Sequence, residues 1–340
     1  MRKSIFVFVL FIGTLFSSAC GTTNQNTLQL DRNVTAQDSS ANYPVTISNY
    51  NSKKEKADFT FKKAPERVFA LHQNSIETLL ALGLEDHIIA CAGDIPPIFK
   101  SDDYQYHEGF KRANYISNKN PPLEDLLIMN PDFILGWYLT FTEKTLGTTD
   151  FWKERGVNTY ISANSNNVLS KRTIEVEYKY ILDIGKIFNC QVKAAAIVKE
   201  MEDEIQNIVK LAVQQKKSKT MIIELAYNNI TVYGKDQLAG DMVTRLGAEL
   251  IDCGNHVNYE ELIKLNPEVI FIAYMGDDGQ KYVEQFLQTQ SLASLSCVRN
   301  KRVYGIPLTY MYASGTRTLD GIRVFARGLY PELYWENYRI

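Results

Sequence analysis

The chain has 340 residues, 45% of them apolar and 22% charged, with a formal net charge of −2. That length supports two hydrophobic cores, and the near-neutral charge excludes the broad basic surface that nucleic-acid binding requires. Twenty tyrosines and sixteen phenylalanines are more than cores need, which points to aromatic rings lining a surface or cleft.

Arg2 and Lys3 precede an apolar run from Ile5 to Phe16, too short to span a bilayer comfortably. Residues 1–19 therefore read as an export signal, to be left out of the fold. Ser17-Ser-Ala-Cys20, followed by Gly21, resembles the lipobox of bacterial lipoproteins, in which Cys20 becomes the acylated N-terminus. Ser17 departs from that pattern, which usually carries Leu, Val or Ile there, and ordinary secretory cleavage before Cys20 is the other reading. From Thr22 to Asn42 the composition is Thr, Asn, Gln, Ser and Asp, so residues 20–42 read as a solvated tether. The expected location is the cell membrane, lipid-anchored, facing the extracytoplasmic side.

Tyr43 to Tyr50 alternates apolar and polar residues, turns at Asn51-Ser-Lys-Lys54 and returns as Ala57 to Phe61, a β-hairpin pattern. Val68 to Leu71 reads as a buried strand. Gln73-Asn-Ser75 reads as a loop opening a helix through Leu82, with Asn74 or Ser75 as its N-cap. Gly83 ends that helix and His87 to Ala92 is the next strand, giving a β-α-β unit with a right-handed crossover. Gly93 to Pro122 is a long polar stretch, of the length expected of a binding loop or lid, with Tyr104, Tyr106 and His107 as candidates for a cleft mouth.

Next comes a motif that occurs twice. Leu123-Glu-Asp-Leu-Leu-Ile-Met-Asn-Pro-Asp-Phe-Ile-Leu-Gly-Trp-Tyr138 is repeated, 136 residues on, by Tyr259-Glu-Glu-Leu-Ile-Lys-Leu-Asn-Pro-Glu-Val-Ile-Phe-Ile-Ala-Tyr274. Glu124/Glu260, Leu126/Leu262, Asn130/Asn266, Pro131/Pro267, Ile134/Ile270 and Tyr138/Tyr274 are identical. Each copy reads as a short amphipathic helix stopped at Asn-Pro, then an apolar run typical of a strand buried on both faces of a parallel sheet. Between the copies, Gln191 to Gln214 shows helical periodicity through Ile197, Met201, Ile205, Ile208, Val209 and Ala212. No Gly or Pro interrupts the chain from Lys186 to Tyr233, and about 24 residues would form a rod of roughly 36 Å. The expected fold class is α/β: two Rossmann-like lobes with mainly parallel sheets, joined by one long rigid helix, with a ligand cleft between them. The expected divisions are 43–190 for the first lobe, 191–216 for the linking helix and 217–340 for the second lobe.

Tyr43-Pro-Val-Thr-Ile47, Ala64-Pro-Glu-Arg-Val-Phe-Ala-Leu71, Glu77-Thr-Leu-Leu-Ala-Leu-Gly-Leu-Glu-Asp86 and Leu127-Ile-Met-Asn-Pro-Asp-Phe-Ile-Leu-Gly-Trp137 resemble the substrate-binding lipoproteins of bacterial ABC importers. The branch they resemble serves iron–siderophore complexes, haem and cobalamin. Leu146-Gly-Thr148, Phe151 to Ser162, Thr173 to Phe188 and Arg317 to Pro331 continue the likeness, which runs from Tyr43 to Pro331. It implies an extracytoplasmic receptor that captures a ferric siderophore or related chelate and hands it to a permease and its ATPase. It also implies that Glu124 and Glu260 dock on the two permease subunits, although acids at helix N-termini are a general habit as well. A haem or cobalamin receptor is the first alternative. A bilobal tetrapyrrole metal chelatase is an alternative from another class.

Ligands of open α/β sheets sit outside the carboxyl ends of the strands. The candidate ligand-binding residues are accordingly His72, Gln73, Asn74, Trp137 and Tyr138 from the first lobe, and Tyr227, Tyr274, Tyr310, Tyr312 and Arg317 from the second. Loop Cys253 to Asn258 is a further candidate, and His72 with His256 are the two histidines that would meet a haem iron. Arg317 is expected to pair with an anionic ligand. The four histidines lack metal-ligand spacing, and Cys91, Cys190, Cys253 and Cys297 are even in number and could pair after export, with no bridge expected. No nucleophile or phosphate-loop motif appears, so the expectation is a monomeric binding protein with no catalytic residue, resident metal or cofactor.

Overall fold

The computed structural model describes residues 43–93, 95–226, 229–276 and 278–334. The export signal, the tether with Cys20, and Tyr227 lie outside the described residues.

Alternation in the first segment gives an antiparallel hairpin, β1 (Val45–Tyr50) and β2 (Lys56–Phe61). The first lobe continues with β3 (Val68–Leu71), α1 (His72–Leu82), β4 (Ile88–Ala92), α2 (His107–Phe110), β5 (Tyr115–Ser117) and α3 (Leu123–Met129). It ends with β6 (Phe133–Gly136), α4 (Thr149–Lys153), β7 (Asn158–Ile161) and α5 (Ile174–Ile187). Its five-stranded sheet, in the order β5-β4-β3-β6-β7, is parallel throughout. Asn49 fastens the hairpin to this sheet, with its side chain accepting from the Ile161 N–H and donating to the Ile161 carbonyl.

After α6 (Gln191–Leu211) come β8 (Lys219–Ala226), β9 (Asn229–Val232), α7 (Leu238–Arg245), β10 (Glu249–Leu250), β11 (His256–Val257), α8 (Tyr259–Leu265) and β12 (Val269–Tyr274). The chain closes with α9 (Gly279–Gln288), α10 (Ser296–Arg299), β13 (Val303–Pro307), α11 (Thr318–Leu329) and α12 (Pro331–Tyr334). The second sheet runs β11-β9-β8-β12-β13, with β10 also on β8; β9 and β11 are its antiparallel members. The chain is thus α/β with mainly parallel central sheets.

The Asn-Pro repeat acquires a structural meaning. Asn130 and Asn266 both take the left-handed conformation at the ends of α3 and α8 (φ 48° and 45°), which asparagine tolerates. The acid two residues on then ties the motif to the neighbouring strand. Asp132 accepts from the N–H groups of Glu66 and Arg67 just before β3, and Glu268 accepts from the Lys219 N–H that opens β8. Leu126 and Leu262, also repeat-equivalent, anchor α3 and α8 with no exposed surface.

One continuous core joins the inner faces of both sheets through α1, α5, α6, α7 and α11, and a separate core lies on the outer face of each sheet. Two expectations are corrected. The long helix stops at Leu211, and of its expected apolar face Met201, Ile208 and Ala212 are buried and Ile197 and Ile205 pack against the core, while Val209 is exposed. The buried face also takes in Ala194, Val198 and Glu204, because α6 packs against both α5 and α11, and Glu204 faces Arg323. Helix α1 begins at His72 with no side-chain cap, so Asn74 and Ser75 lie buried in its first turn rather than capping it.

Candidate functional site: a cleft between the two sheets

A cavity of about 640 Å³ opens where strand ends from both sheets converge. The ends of β3, β4, β5 and β6 bring His72, the Ile95–Ile98 segment, Asn118 and Trp137 to it. Those of β12 and β13 bring Tyr274, Met275 and the segment from Pro307 to Tyr312. The cavity therefore occupies the position that open parallel sheets reserve for ligands.

His72 and Trp137 build one wall as a pair. Their rings stack at 4.1 Å between centroids with 14° between planes. His72 sits at φ 66°, an uncommon conformation for a residue with a Cβ. Gly93 makes that placement possible, since a Cβ there would lie 3.0 Å from His72 Nδ1. Trp137 Nε1 donates to Asn74 Oδ1 at 3.0 Å, and Asn74 Nδ2 donates to Ser162 Oγ at 2.8 Å. Asn74 is almost fully buried, so it acts by fixing the indole.

Tyr312 crosses between the lobes. Its ring meets Trp137 edge-on at 5.5 Å, and its hydroxyl accepts from the Asn166 N–H at 2.6 Å. Opposite, Tyr274 lies over Gly279, where a Cβ would collide with its ring, and close to Gly305. Tyr310 lies 5.7 Å from the Arg317 guanidinium, and burial, opposed by that charge, raises its phenol pKa.

Arg317 differs from the expectation. Its Nε and Nη2 donate to the two carboxylate oxygens of Glu77 at 2.8 and 2.5 Å, and its Nη1 donates to Asp320 at 2.9 Å. Burial disfavours the guanidinium charge, but the hydrogen bonds and charges of Glu77 and Asp320 prevail and hold its pKa above the ordinary value. The side chain borders the cavity with its charge already committed. Gln73 Nε2 and the Tyr104 hydroxyl complete the shell around Glu77, at 3.0 and 2.8 Å. Tyr104 thus supports the ion pair from behind, and the long loop reaches the cavity through Ile95, Pro96, Pro97, Ile98 and Asn118 instead.

Other expected residues fall elsewhere. Tyr138 turns toward the hairpin, where its hydroxyl donates to the Ser52 carbonyl at 3.0 Å and Lys54 Nζ lies over its ring. His256 is an exposed residue of β11, and neither it nor the Cys253–Asn258 loop borders the cavity. Tyr227 lies outside the described residues. Glu124 and Glu260 occupy matching exposed positions in the first turns of α3 and α8, each one turn before an exposed apolar residue, Leu127 and Ile263. The four described cysteines are free thiols, and burial pushes Cys91 up to about 12. Among the described residues no group of three or more His, Cys, Asp or Glu is placed to hold a metal ion.

Ile95–Ile98 and Met275 lie on the segments after Gly93 and Tyr274 that were expected to reach the cleft, whereas Leu308 lies just before the expected Thr309–Arg317 loop. Their signal was positional, since these residues directly follow strands whose carboxyl ends converge.

Comparison with known proteins agrees with this geometry. The chain belongs to the periplasmic binding protein family, whose model matches residues 68–310. It is 24% identical over 301 residues to an uncharacterized ABC transporter substrate-binding lipoprotein, YvrC, of Bacillus subtilis (strain 168), covering 86% of this chain and 88% of that one. A periplasmic binding protein from Veillonella parvula DSM 2008 superimposes with a TM-score of 0.80 at 35% identity, covering 88% and 95%. An ABC-type Fe3+-hydroxamate transport system from Saccharomonospora viridis DSM 43017 gives 0.67 at 19% identity, covering 84% and 99%, a likeness of fold alone. The chain is therefore the substrate-binding component of an ABC transporter, a role that implies a permease partner. It is a transport protein rather than an enzyme, which removes the chelatase alternative. Among the described residues no helix is long and apolar enough to cross a membrane.

Proposed function

We propose that this protein captures a ferric siderophore or a related metal chelate in the cavity between its two sheets and delivers it to an ABC permease. The observation that carries this reading is the cavity itself, about 640 Å³ lined by the stacked His72–Trp137 pair, Tyr274, Tyr310 and Tyr312. Flat rings with a few hydroxyl and amide groups suit a chelate that is apolar on its faces and polar at its rim. Haem and cobalamin belong to the same reading as alternative cargoes.

Delivery in this proposal uses Glu124 and Glu260 as docking carboxylates, one on each lobe. Their equivalent positions in the repeat suit a permease of two similar subunits, and exposed Leu127 and Ile263 add an apolar contact beside each. Lipidation of Cys20 would hold the protein at the outer face of the membrane, consistent with the lipoprotein named among its relatives. Titration of the purified chain with ferric hydroxamate, ferric catecholate, haem and cobalamin, followed by tryptophan fluorescence, tests the receptor reading. Saturable quenching by one chelate class is the expected result, and failure of every class contradicts it.

A further inference from the structure

The charge around the cavity constrains what enters it. Among the described residues of its lining, Arg317 is the only lysine or arginine. Its guanidinium is divided between two carboxylates, Glu77 at 2.5 and 2.8 Å and Asp320 at 2.9 Å. One cation against two anions leaves this cluster with a formal charge of −1. Glu77 is only 1% exposed, and its further partners, Gln73 and Tyr104, are neutral. Among the described residues no second lysine or arginine pairs with Glu77 or Asp320, so Arg317 stays committed to them. The internal positions outside the described residues, Asp94, Tyr227, Asn228 and Asp277, include no lysine or arginine either.

A polyanionic ligand would give up its water in such a cavity and gain no counter-charge, an unfavourable exchange at reduced dielectric. An uncharged ligand gives up only the hydration of its polar groups, a much smaller cost than desolvating several charges. The remaining polar groups of the lining are amides and hydroxyls (Asn118, Thr309, Tyr310, Tyr312), which can hydrogen-bond neutral carbonyl and amide groups.

We propose that the cavity selects uncharged or cationic chelates, of the trihydroxamate or corrinoid kind, and discriminates against polyanionic complexes such as ferric tris-catecholates. This inference rests on the receptor reading above and narrows its substrate class. Asp320 sets the balance: it does not border the cavity, yet it supplies the second negative charge on Arg317.

The test compares affinities of the full-length chain for a neutral ferric trihydroxamate, cobalamin and a trianionic ferric tris-catecholate, with thermal melts to confirm folding of each variant. At least one neutral ligand is expected to bind roughly tenfold or more tightly than the catecholate. Asp320→Asn is expected to narrow that ratio by about threefold, because it removes one anion from the cluster. Asp320→Glu, which keeps the charge, should leave the ratio where it was. Tighter binding of the catecholate, or a ratio that Asp320→Asn does not move, overturns the charge selection while leaving the receptor reading intact. Absence of binding by every ligand overturns the receptor reading and this inference with it.

Discussion

The guanidinium of Arg317 meets Glu77 from 240 positions away in the chain. An arginine on a cleft loop is visible in the sequence, but its distant carboxylate is not, so its pairing reads as available when it is already made. Removing one member of such a pair strands the other in a low-dielectric site, and Glu77 is almost fully buried. Arg317→Ala should therefore cost about 3 kcal/mol in urea denaturation. The double variant Glu77→Leu/Arg317→Met should lose less than that single substitution, because no uncompensated charge remains. Trp137 is the opposite case. Its position at a strand end marked it for the cleft, and the structure adds the His72 stack and the Asn74 hydrogen bond that hold it. Trp137→Ala should weaken chelate binding by about tenfold or more in a fluorescence or calorimetric titration. Tyr138, its neighbour, shows the limit: adjacent residues at a strand end point to opposite surroundings, and only the fold decides which one meets the cavity.

At the scale of elements, the duplicated helix–Asn-Pro–strand motif was readable because amphipathic spacing and a buried apolar run are local signals. The start of α1 was not, since tertiary burial draws Asn74 and Ser75 inside the first turn and leaves them no capping role. Nor did the sequence reveal why an acid follows each Asn-Pro. Glu268 is held below its usual pKa by Lys216 and by the Lys219 N–H. A carboxylate whose folded pKa is depressed adds stability above its unfolded pKa of about 4.3, and that contribution is lost as pH falls through the folded value. Glu268→Gln should lower the melting temperature at neutral pH and show a shallower loss on acidification, the two curves converging toward low pH. Half-exposed geometry keeps the effect near 1 kcal/mol or below. The docking proposal belongs to the same motif. Glu124→Ala/Glu260→Ala should leave chelate affinity unchanged and abolish uptake in cells carrying the cognate permease. Loss of affinity in that variant would tie these acids to the cavity instead.

For the whole molecule, the α/β class and the long helix between two sheets followed from periodicity and from the repeat. Contacts between the lobes did not, because they are made by residues far apart in sequence. Besides α6, several ties among the described residues cross between the lobes: Glu77 with Arg317, the Gly315 N–H on buried Glu177, the Asn166 N–H on Tyr312, the Ile174 N–H on Asp241, Arg245 with Glu175, and the Arg172 N–H on the Asp236 carbonyl. Gly315 makes the second possible, since at φ 55° it packs so closely on α1 that a Cβ would lie 2.7 Å from Thr78 Oγ1. A helix and these ties predict a change in radius of gyration of about 1 Å or less when ligand binds, measured by small-angle scattering. A hinged closure of several ångströms would show that the ties break.

Hydrogen–deuterium exchange of the chain with and without its best-binding chelate tests the central claim most directly. If the cavity between the sheets holds the substrate, protection should rise in 95–98, around Trp137 and in 307–312, with α6 little changed. Protection confined to another surface, with those segments exchanging as before, would contradict it.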